Sequence, residues 1–478
     1  MRLLSDQLQL SGTGTLQHQL YQALQQQMRS GNWPSGALLP SSRQLAVDLS
    51  LSRNTVNQAL QQLVAEGYLI AQQGRGYQVA ALPEHYFQSA VAAKNAGSAL
   101  QVQNYTLPQK TGVANGLLQP GVSALTEFPY AIWQRLLQRH CQRPNLSGFA
   151  DVLGYLPLRQ ALVSYLHQSR QVVCDESSIL ITAGAQQALF IAAKLVAKAG
   201  QQVLMESPGY PRLKHALQLC ELDVQYIDAS TNNGLDCNAL PTPTKAKALF
   251  LTPGHQYPLG GIMPLPQRLQ LLEWAKQQHC WIIEDDYDSE FQYQHRPIAS
   301  LQGLAGGEGV LFAGSFSKTL FPALRLGYLV APKAVIAHAA AILQALHGDV
   351  PLLTQAVLTD FISEGHFNRH LRKMRRYYQQ RKQYAVALLS SGLPKCQVHA
   401  RDAGLHLVLE FPRRLDDQAL AMQLTTLGLK VQPLQRYLFN NEQRSGLILG
   451  IANHSAAQFD AALRQVIVFC QQRLLEVT

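Results

Sequence analysis

The sequence predicts an α/β protein in two parts, a small helical head closed by a hairpin and a large domain around a mainly parallel sheet. Three observations carry this. The first 80 residues hold helical apolar stripes followed by a glycine-punctuated alternating stretch. From about Pro108 onward, helical patterns alternate with short apolar runs, as expected of parallel strands covered by helices on both faces. The chain has 478 residues, 47% hydrophobic and 15% charged, enough for more than one domain and too apolar for wholesale disorder. The boundaries predicted are a head over 1–80, a linker over 81–107 rich in small residues, and a large domain over 108–478.

In the head, Leu16, Leu20, Tyr21, Leu24 and Met28 mark one face of a first helix. Ser41 or Ser42 can cap a short helix bearing Leu45, Ala46 and Leu49. After the break SLS (50–52), Val56, Ala59, Leu60, Leu63 and Val64 form the buried stripe of another helix. Ser52, Arg53, Asn54, Thr55 and Asn57 stand at its exposed start. Two short helices with a tight turn and polar side chains at the start of the second fit a helix-turn-helix. YLIAQQGRGYQVA (68–80) alternates about a GRG turn and reads as a hairpin wing with Arg75 at its tip, in reach of a phosphate or a minor groove. Residues 1–80 hold five arginines, no lysine and three acids. That excess is modest for a DNA binder, and a dimer reading two half-sites would ease it.

The stretch PSSRQLAVDLSLSRNTVNQALQQLVAEGYL closely resembles the winged helix-turn-helix of the GntR family, over nearly all of residues 12–80. The resemblance implies double-stranded operator DNA as partner, Arg43, Arg53 and Thr55 as contacting positions, and Ser52, Asn54 and Asn57 beside them. Some branches of that family carry a basic residue where this chain has Asn57, so the operator sequence does not carry over.

In the large domain the strands expected are 202–206 (QVLME), 248–252 (ALFLT), 281–284 (WIIE), 310–314 (VLFAG) and 326–330 (LGYLV). Chemistry gathers at their carboxyl ends, where open α/β sheets bind ligands. GSFSKTLFPALRLGY (314–328) offers Lys318 as a tether for the aldehyde of pyridoxal 5'-phosphate, with Ser315, Ser317 and Arg325 for its phosphate. WIIEDDYDSE (281–290) ends an apolar strand in carboxylates. Asp285 is the choice for the pyridine nitrogen and Tyr287 for the phenolic oxygen. ITAGAQQAL (181–189) places the backbone N–H groups of Ala185 and Gln186 at a helix N-terminus suited to phosphate. Tyr210 of MESPGYPRLKHAL can stack on the ring, and Arg212 can meet a carboxylate. LTPGHQYPLGG (251–261) adds His255, Gln256 and Tyr257.

In this order the motifs resemble the fold-type I aminotransferases. Specifically, they resemble the aminotransferase-like domain of MocR/GabR regulators, in which a GntR-type head is fused to such a domain. The resemblance spans about residues 108–478. It implies Lys318 as the Schiff-base lysine. It further implies Asp285, Tyr287, Tyr210, Ala185, Gln186, Ser315, Ser317 and Arg325 as cofactor contacts, with Tyr257 beside them. A homodimer with each head lying against the other subunit's large domain is also implied. The chain departs from the enzymes in two places. The late strand GLILGIA (446–452) lacks an arginine for a substrate carboxylate, leaving Arg212, His255 and Arg444 as effector-binding candidates. The turn usually written NPxG has Tyr257 before Pro258.

The basic segment GHFNRHLRKMRRYYQQRKQ (365–383) carries Arg369, Arg372, Lys373, Arg375, Arg376, Arg381 and Lys382 on one expected helix, either an accessory DNA track or a solvated face. Seven dispersed cysteines suggest reduced thiols in a cytosol, and no spacing suggests a metal. No signal peptide or membrane-spanning run is evident, so a cytoplasmic protein is expected. The reading is therefore a transcriptional regulator that senses pyridoxal phosphate, or an amine reacting with it, through Lys318. The alternative is a working aminotransferase carrying a vestigial head.

Overall fold

The computed structural model describes residues 8, 10, 14–81, 116–294, 298–346, 348–440 and 442–476. Residues 82–107 of the expected linker lie outside the described residues. The chain divides into two compact units, residues 1–111 and 112–478.

In the first unit, α1 (Leu16–Arg29), α2 (Ser42–Asp48) and α3 (Arg53–Ala65) precede the antiparallel hairpin β1 (Leu69–Gln72) and β2 (Gly76–Val79). Each helix begins at a hydroxyl cap, which satisfies an amide that has no intrahelical partner. Thr15 accepts from His18 N, Ser41 from Gln44 N at 3.1 Å and Ser52 from Thr55 N at 3.0 Å. The break between α2 and α3 holds Ser50 at a left-handed φ of 52°. The stripes read from the sequence converge. Leu20, Leu24, Met28, Leu45, Val56, Ala59, Leu60 and Leu63 are fully buried, each large aliphatic side chain stabilising the head by about 1.5–3 kcal/mol. Trp33, unread in the sequence, fills the same core.

The second unit contains a seven-stranded sheet in the order β3-β9-β8-β7-β6-β4-β5. Its strands are β3 (Ile179–Thr182), β4 (Gln202–Ser207), β5 (Asp223–Asp228), β6 (Ala248–Leu251), β7 (Trp281–Asp286), β8 (Val310–Ser315) and β9 (Gly327–Val330). All neighbours run parallel except β9, which is antiparallel to both β3 and β8. The apolar runs become central strands because both of their faces are buried. β5 escapes that reading because it is the edge strand and alternates in exposure. A second, antiparallel sheet has the order β10-β11-β13-β12, from β10 (Gln397–His399), β11 (His406–Glu410), β12 (Gln432–Pro433) and β13 (Gly446–Gly450).

The long helix His366–Gly392 joins the two cores. Phe367, Leu371, Met374 and Tyr378 pack beneath the large sheet, whereas Ala385 and Leu389 pack with Leu407, Leu409, Leu447 and Leu449 of the small one. Arg381 and Lys382 lie on this buried side. Arg381 donates to the carbonyls of Ile451 (2.7 Å) and His454 (3.0 Å) and stacks 4.1 Å over Phe459. Lys382 donates to Ala403 O. Of the other basic residues, Lys373 pairs with Glu127 at 2.7 Å and Arg375 donates to Glu290 O at 2.6 Å. The segment is thus a structural tie at Arg375, Arg381 and Lys382, while Arg369, Arg372, Lys373 and Arg376 are exposed. Among the described helices none is long and apolar enough to cross a membrane.

Candidate functional site

The end of β7 separates its carboxylates by the alternation of the strand. Ile283 joins the core with the helix Ala185–Val196, and Asp285 follows it to that face. Glu284 and Asp286 turn to the other. There Arg170 holds Asp286 at 3.0 Å, and both Arg170 and Arg268 stand within 4.0 Å of Glu284. Arg268 also donates to three carbonyls, Met263, Ala299 and Pro253, at 2.8, 3.0 and 2.7 Å. It thereby fastens both ends of the loop that carries His255, Gln256 and Tyr257.

Asp285 is buried, and its Oδ1 has no hydrogen-bond partner among the described residues. Burial, with Asp286 and Asp288 adding to it, raises its pKa to about 7, against the opposing pull of Lys318. Such a carboxyl is stabilised by a cationic N–H donor at the vacant oxygen. Glu206, also pushed to about 7 by burial, accepts from Thr252 N and Oγ1 at 2.9 and 2.8 Å. It lines the same cavity as Asp285 and Tyr210.

Lys318 follows β8 and is half-buried. Burial lowers its amine to about 8, helped by Arg212 and opposed by Asp288 and Asp285. About a tenth is therefore neutral and nucleophilic at pH 7, far more than of an ordinary lysine. Its Nζ donates to Gly121 O at 2.8 Å. Gly121 sits at φ +86°, and a Cβ there would stand 2.5 Å from Nζ. Gly121→Ala is expected to weaken cofactor binding about 5- to 150-fold, since such strain costs roughly 1–3 kcal/mol. Absorbance titration of the purified protein with pyridoxal phosphate checks this.

The expected phosphate groups come together around the helix start. Gly184 caps the helix Ala185–Val196 without a side-chain hydrogen bond, leaving the amides of Ala185 and Gln186 for a ligand. Arg325, exposed and left-handed at φ 51°, brings Nη1 within 3.5 Å of where a Cβ of Gly184 would stand. Ser315 Oγ donates to Ser317 Oγ at 3.0 Å and accepts from Ser317 N at 3.1 Å.

The tyrosines form one aromatic wall. Tyr257 meets Tyr210, Tyr287 and Tyr437 edge-on at 6.0, 5.4 and 5.5 Å. Burial pushes the phenols of Tyr257 and Tyr287 well above 10, so both keep their protons. The three effector candidates part company. Arg212 is exposed and acts electrostatically on both Lys318 and Tyr210. His255 is buried, with Nδ1 shared between Asp288 and Tyr287, so it lies beneath the wall instead of lining it. Arg444 holds Glu410 through two bonds of 2.8 and 2.7 Å, which corrects its expected role as a free carboxylate binder.

In the head, Arg43, Arg53, Asn54 and Arg75 are exposed, and the three guanidinium groups have no partner among the described residues. Ser52 is the α3 cap, and its hydroxyl lies 2.7 Å from that of Thr55. These two therefore organise the helix start. Asn57 is half-buried one turn further on. Gly121, Glu206, Thr252 and Asp288 went unread as site residues. Gly121 announced only a turn, and its contact with Lys318 spans 197 residues.

Comparison with known proteins matches residues 124–466 to the aminotransferase class I and II family and residues 16–79 to the bacterial regulatory proteins of the gntR family. The probable rhizopine catabolism regulatory protein MocR of Rhizobium meliloti is 34% identical over 451 residues, covering 91% of this chain and 90% of that protein. The HTH-type pyridoxine biosynthesis transcriptional regulator PdxR of Corynebacterium glutamicum is 31% identical over 440 residues, covering 91% and 92%. Among solved structures, the α-aminoadipate aminotransferase LysN of Thermus thermophilus superposes with a TM-score of 0.70 at 25% identity. That match covers 76% of this chain and 93% of LysN. An archaeal alanine:glyoxylate aminotransferase gives 0.71 at 20% identity, covering 76% and 92%, a likeness of fold. The chain therefore belongs to the MocR-type transcriptional regulators, in which a GntR-type helix-turn-helix precedes an aminotransferase class I and II domain.

Proposed function

We propose that the large unit is a receptor for pyridoxal 5'-phosphate at Lys318, and that its occupancy, or the reaction of an amine there, sets how the head binds operator DNA. The observation that carries this is an amine lowered by burial, acting electrostatically on a buried carboxylate whose Oδ1 has no donor among the described residues. When bound, the cofactor supplies an aldehyde that condenses with amines and an electron-poor ring. Lys318 offers the attacking amine. Asp285 holds a proton at the pyridine nitrogen, and Tyr287 donates to the phenolic oxygen. Ser315, Ser317, Arg325 and the amides of Ala185 and Gln186 take the phosphate. Tyr210 and Tyr257 exclude water from the ring's faces, and Arg212 draws an anionic group of the effector. A ligand shifts the regulator only as far as its affinity differs between two states of the protein.

The absence of an arginine in β13, together with the pairing of Arg444 to Glu410, favours sensing over turnover of amino acids. The name of the pyridoxine biosynthesis regulator supports the cofactor itself as signal. The retained Lys318 and Asp285 favour a second reading, residual transamination. Titrating the loaded protein with a panel of amines and amino acids separates them. A shift of the visible band identifies a sensed amine, accumulation of the aminated cofactor supports an enzyme, and no change supports the cofactor as signal.

The output is proposed to run through the head of a homodimer, domain-swapped head-to-tail so that each head meets the other subunit's large domain. Arg53→Ala is expected to weaken binding to DNA upstream of the protein's own gene by about 1–3 kcal/mol, roughly 5- to 150-fold. Cofactor loading should stay unchanged. Fluorescence anisotropy and absorbance on the same sample check the two halves.

A further inference from the structure

Under Tyr287, two buried side chains meet it at a single nitrogen. His255 Nδ1 lies 3.0 and 3.2 Å from the two carboxylate oxygens of Asp288 and 2.9 Å from the hydroxyl of Tyr287. His255 and Asp288 are 3% and 2% exposed, while Tyr287 is half-buried and open towards the site. A ring nitrogen carries either a proton or a lone pair, so it donates or it accepts.

The carboxylate decides which. Burial opposes the charge of Asp288, but His255, His406 and Lys382 outweigh it and keep the group below the usual carboxylate range. An ionised carboxylate only accepts. Among the described residues, His255 Nδ1 is the one side-chain donor within hydrogen-bonding distance of it. The other two groups nearby are engaged elsewhere. His406 points Nε2 at Pro258 O, 2.8 Å away, and Lys382 donates to Ala403 O. A lone pair on Nδ1 would strand the Asp288 charge in the interior. Nδ1 therefore carries hydrogen whether the ring is neutral or cationic. Facing an N–H, the Tyr287 oxygen accepts, and its own proton points away from His255. Gly404 seals the pair from behind: at φ +74°, a Cβ there would stand 2.7 Å from both Asp288 Oδ2 and His255 Nδ1.

We propose that Asp288 and His255 are positioning residues that fix the hydrogen-bond polarity of Tyr287, so that its O–H is presented to an anionic oxygen in the Lys318 site. The matching group is the phenolic oxygen of pyridoxal phosphate, and this part rests on the reading of Lys318 as the cofactor lysine. The pair does not touch the ligand. It acts by denying Tyr287 an inward acceptor.

Two measurements test the proposal and separate it from that reading. In cofactor-free protein with labelled histidine, nitrogen NMR, assigned by the loss of one ring in His255→Gln, should show Nδ1 of His255 protonated. A lone pair on Nδ1 overturns the proposal, and this result does not depend on the cofactor. In loaded protein, the pH midpoint of the visible band reports donation to the phenolic oxygen. Tyr287→Phe should raise that midpoint by about one unit or more, since a lost donor disfavours the anionic form. Asp288→Leu should raise it comparably, and the double variant no further. An unshifted midpoint in a folded Asp288→Leu protein, or additive shifts in the double variant, overturns the proposal. Failure of borohydride to trap cofactor at Lys318 in the wild type would instead sink the underlying reading and leave the NMR result standing.

Discussion

Lys318→Ala will abolish the borohydride-reducible adduct with pyridoxal phosphate while leaving the fold intact. The side chain makes one polar contact, with Gly121 O, and no ion pair among the described residues. Removing it breaks no ion pair, costs Gly121 O one donor, and takes from buried Asp285 the opposing pull of the amine. Non-covalent affinity through Asp285 and the phosphate groups should persist at a reduced level. Mass spectrometry after reduction should show the mass of one cofactor per wild-type chain and none on the variant. The wild-type reaction also has a pH signature. Because the neutral amine attacks, capture of the cofactor by apo-protein should quicken as pH rises through about 8 and level off roughly a unit above. An adduct surviving in the variant would place the tether on another lysine, with Lys382, its amine also lowered to about 8 by burial, the first to check.

Arg268→Ala carries the largest expected loss of stability, roughly 3–5 kcal/mol, as for breaking a buried ion pair from one side. The guanidinium is fully buried beside Glu284, whose Oε1 already lacks a hydrogen bond among the described residues. Burial lowers the pKa of Arg268 to about 10, although Glu284 opposes that. The variant would also take a donor from three carbonyls, two of them bracketing the Pro253–Met263 loop, although Pro253 O keeps the Met263 amide at 3.1 Å. Cofactor binding should weaken along with stability, because that loop carries His255 and Tyr257. Urea denaturation followed by circular dichroism measures the first effect and absorbance titration the second. A loss below about 1 kcal/mol would show that water replaces the guanidinium.

Much of this site was legible because its residues sit at the ends of strands that are themselves legible. WIIE and VLFAG are continuous apolar runs, so Asp285 and Lys318 could be placed at a sheet's carboxyl edge before any coordinates. The small sheet was harder to see. β10 and β12 are three and two residues long, too short for a pattern. Partnerships across long separations were invisible. Arg444 looked free because Glu410 is 34 residues away, and Lys318 gave no hint of Gly121. One signal went unused. Arg381 falls three residues after Tyr378 and seven after Met374, on the helix's buried stripe, where a cation must find carbonyls. Periodicity could have removed it from the basic track. His255 was set among effector contacts by its motif, yet only the meeting with Asp288, 33 residues on, shows it facing inward.

The central claim is that chemistry at Lys318 is read by the head. Its most direct test is the affinity for the upstream DNA, by fluorescence anisotropy at fixed salt, of the apo-protein, the loaded protein and the loaded protein with each amine of the panel. The same series is repeated on Lys318→Ala. The account predicts at least one transition in the wild type that changes affinity about fivefold or more, the scale of a typical coupling energy, and none in the variant. Equal affinities across the wild-type series, or the same change in Lys318→Ala, would contradict it.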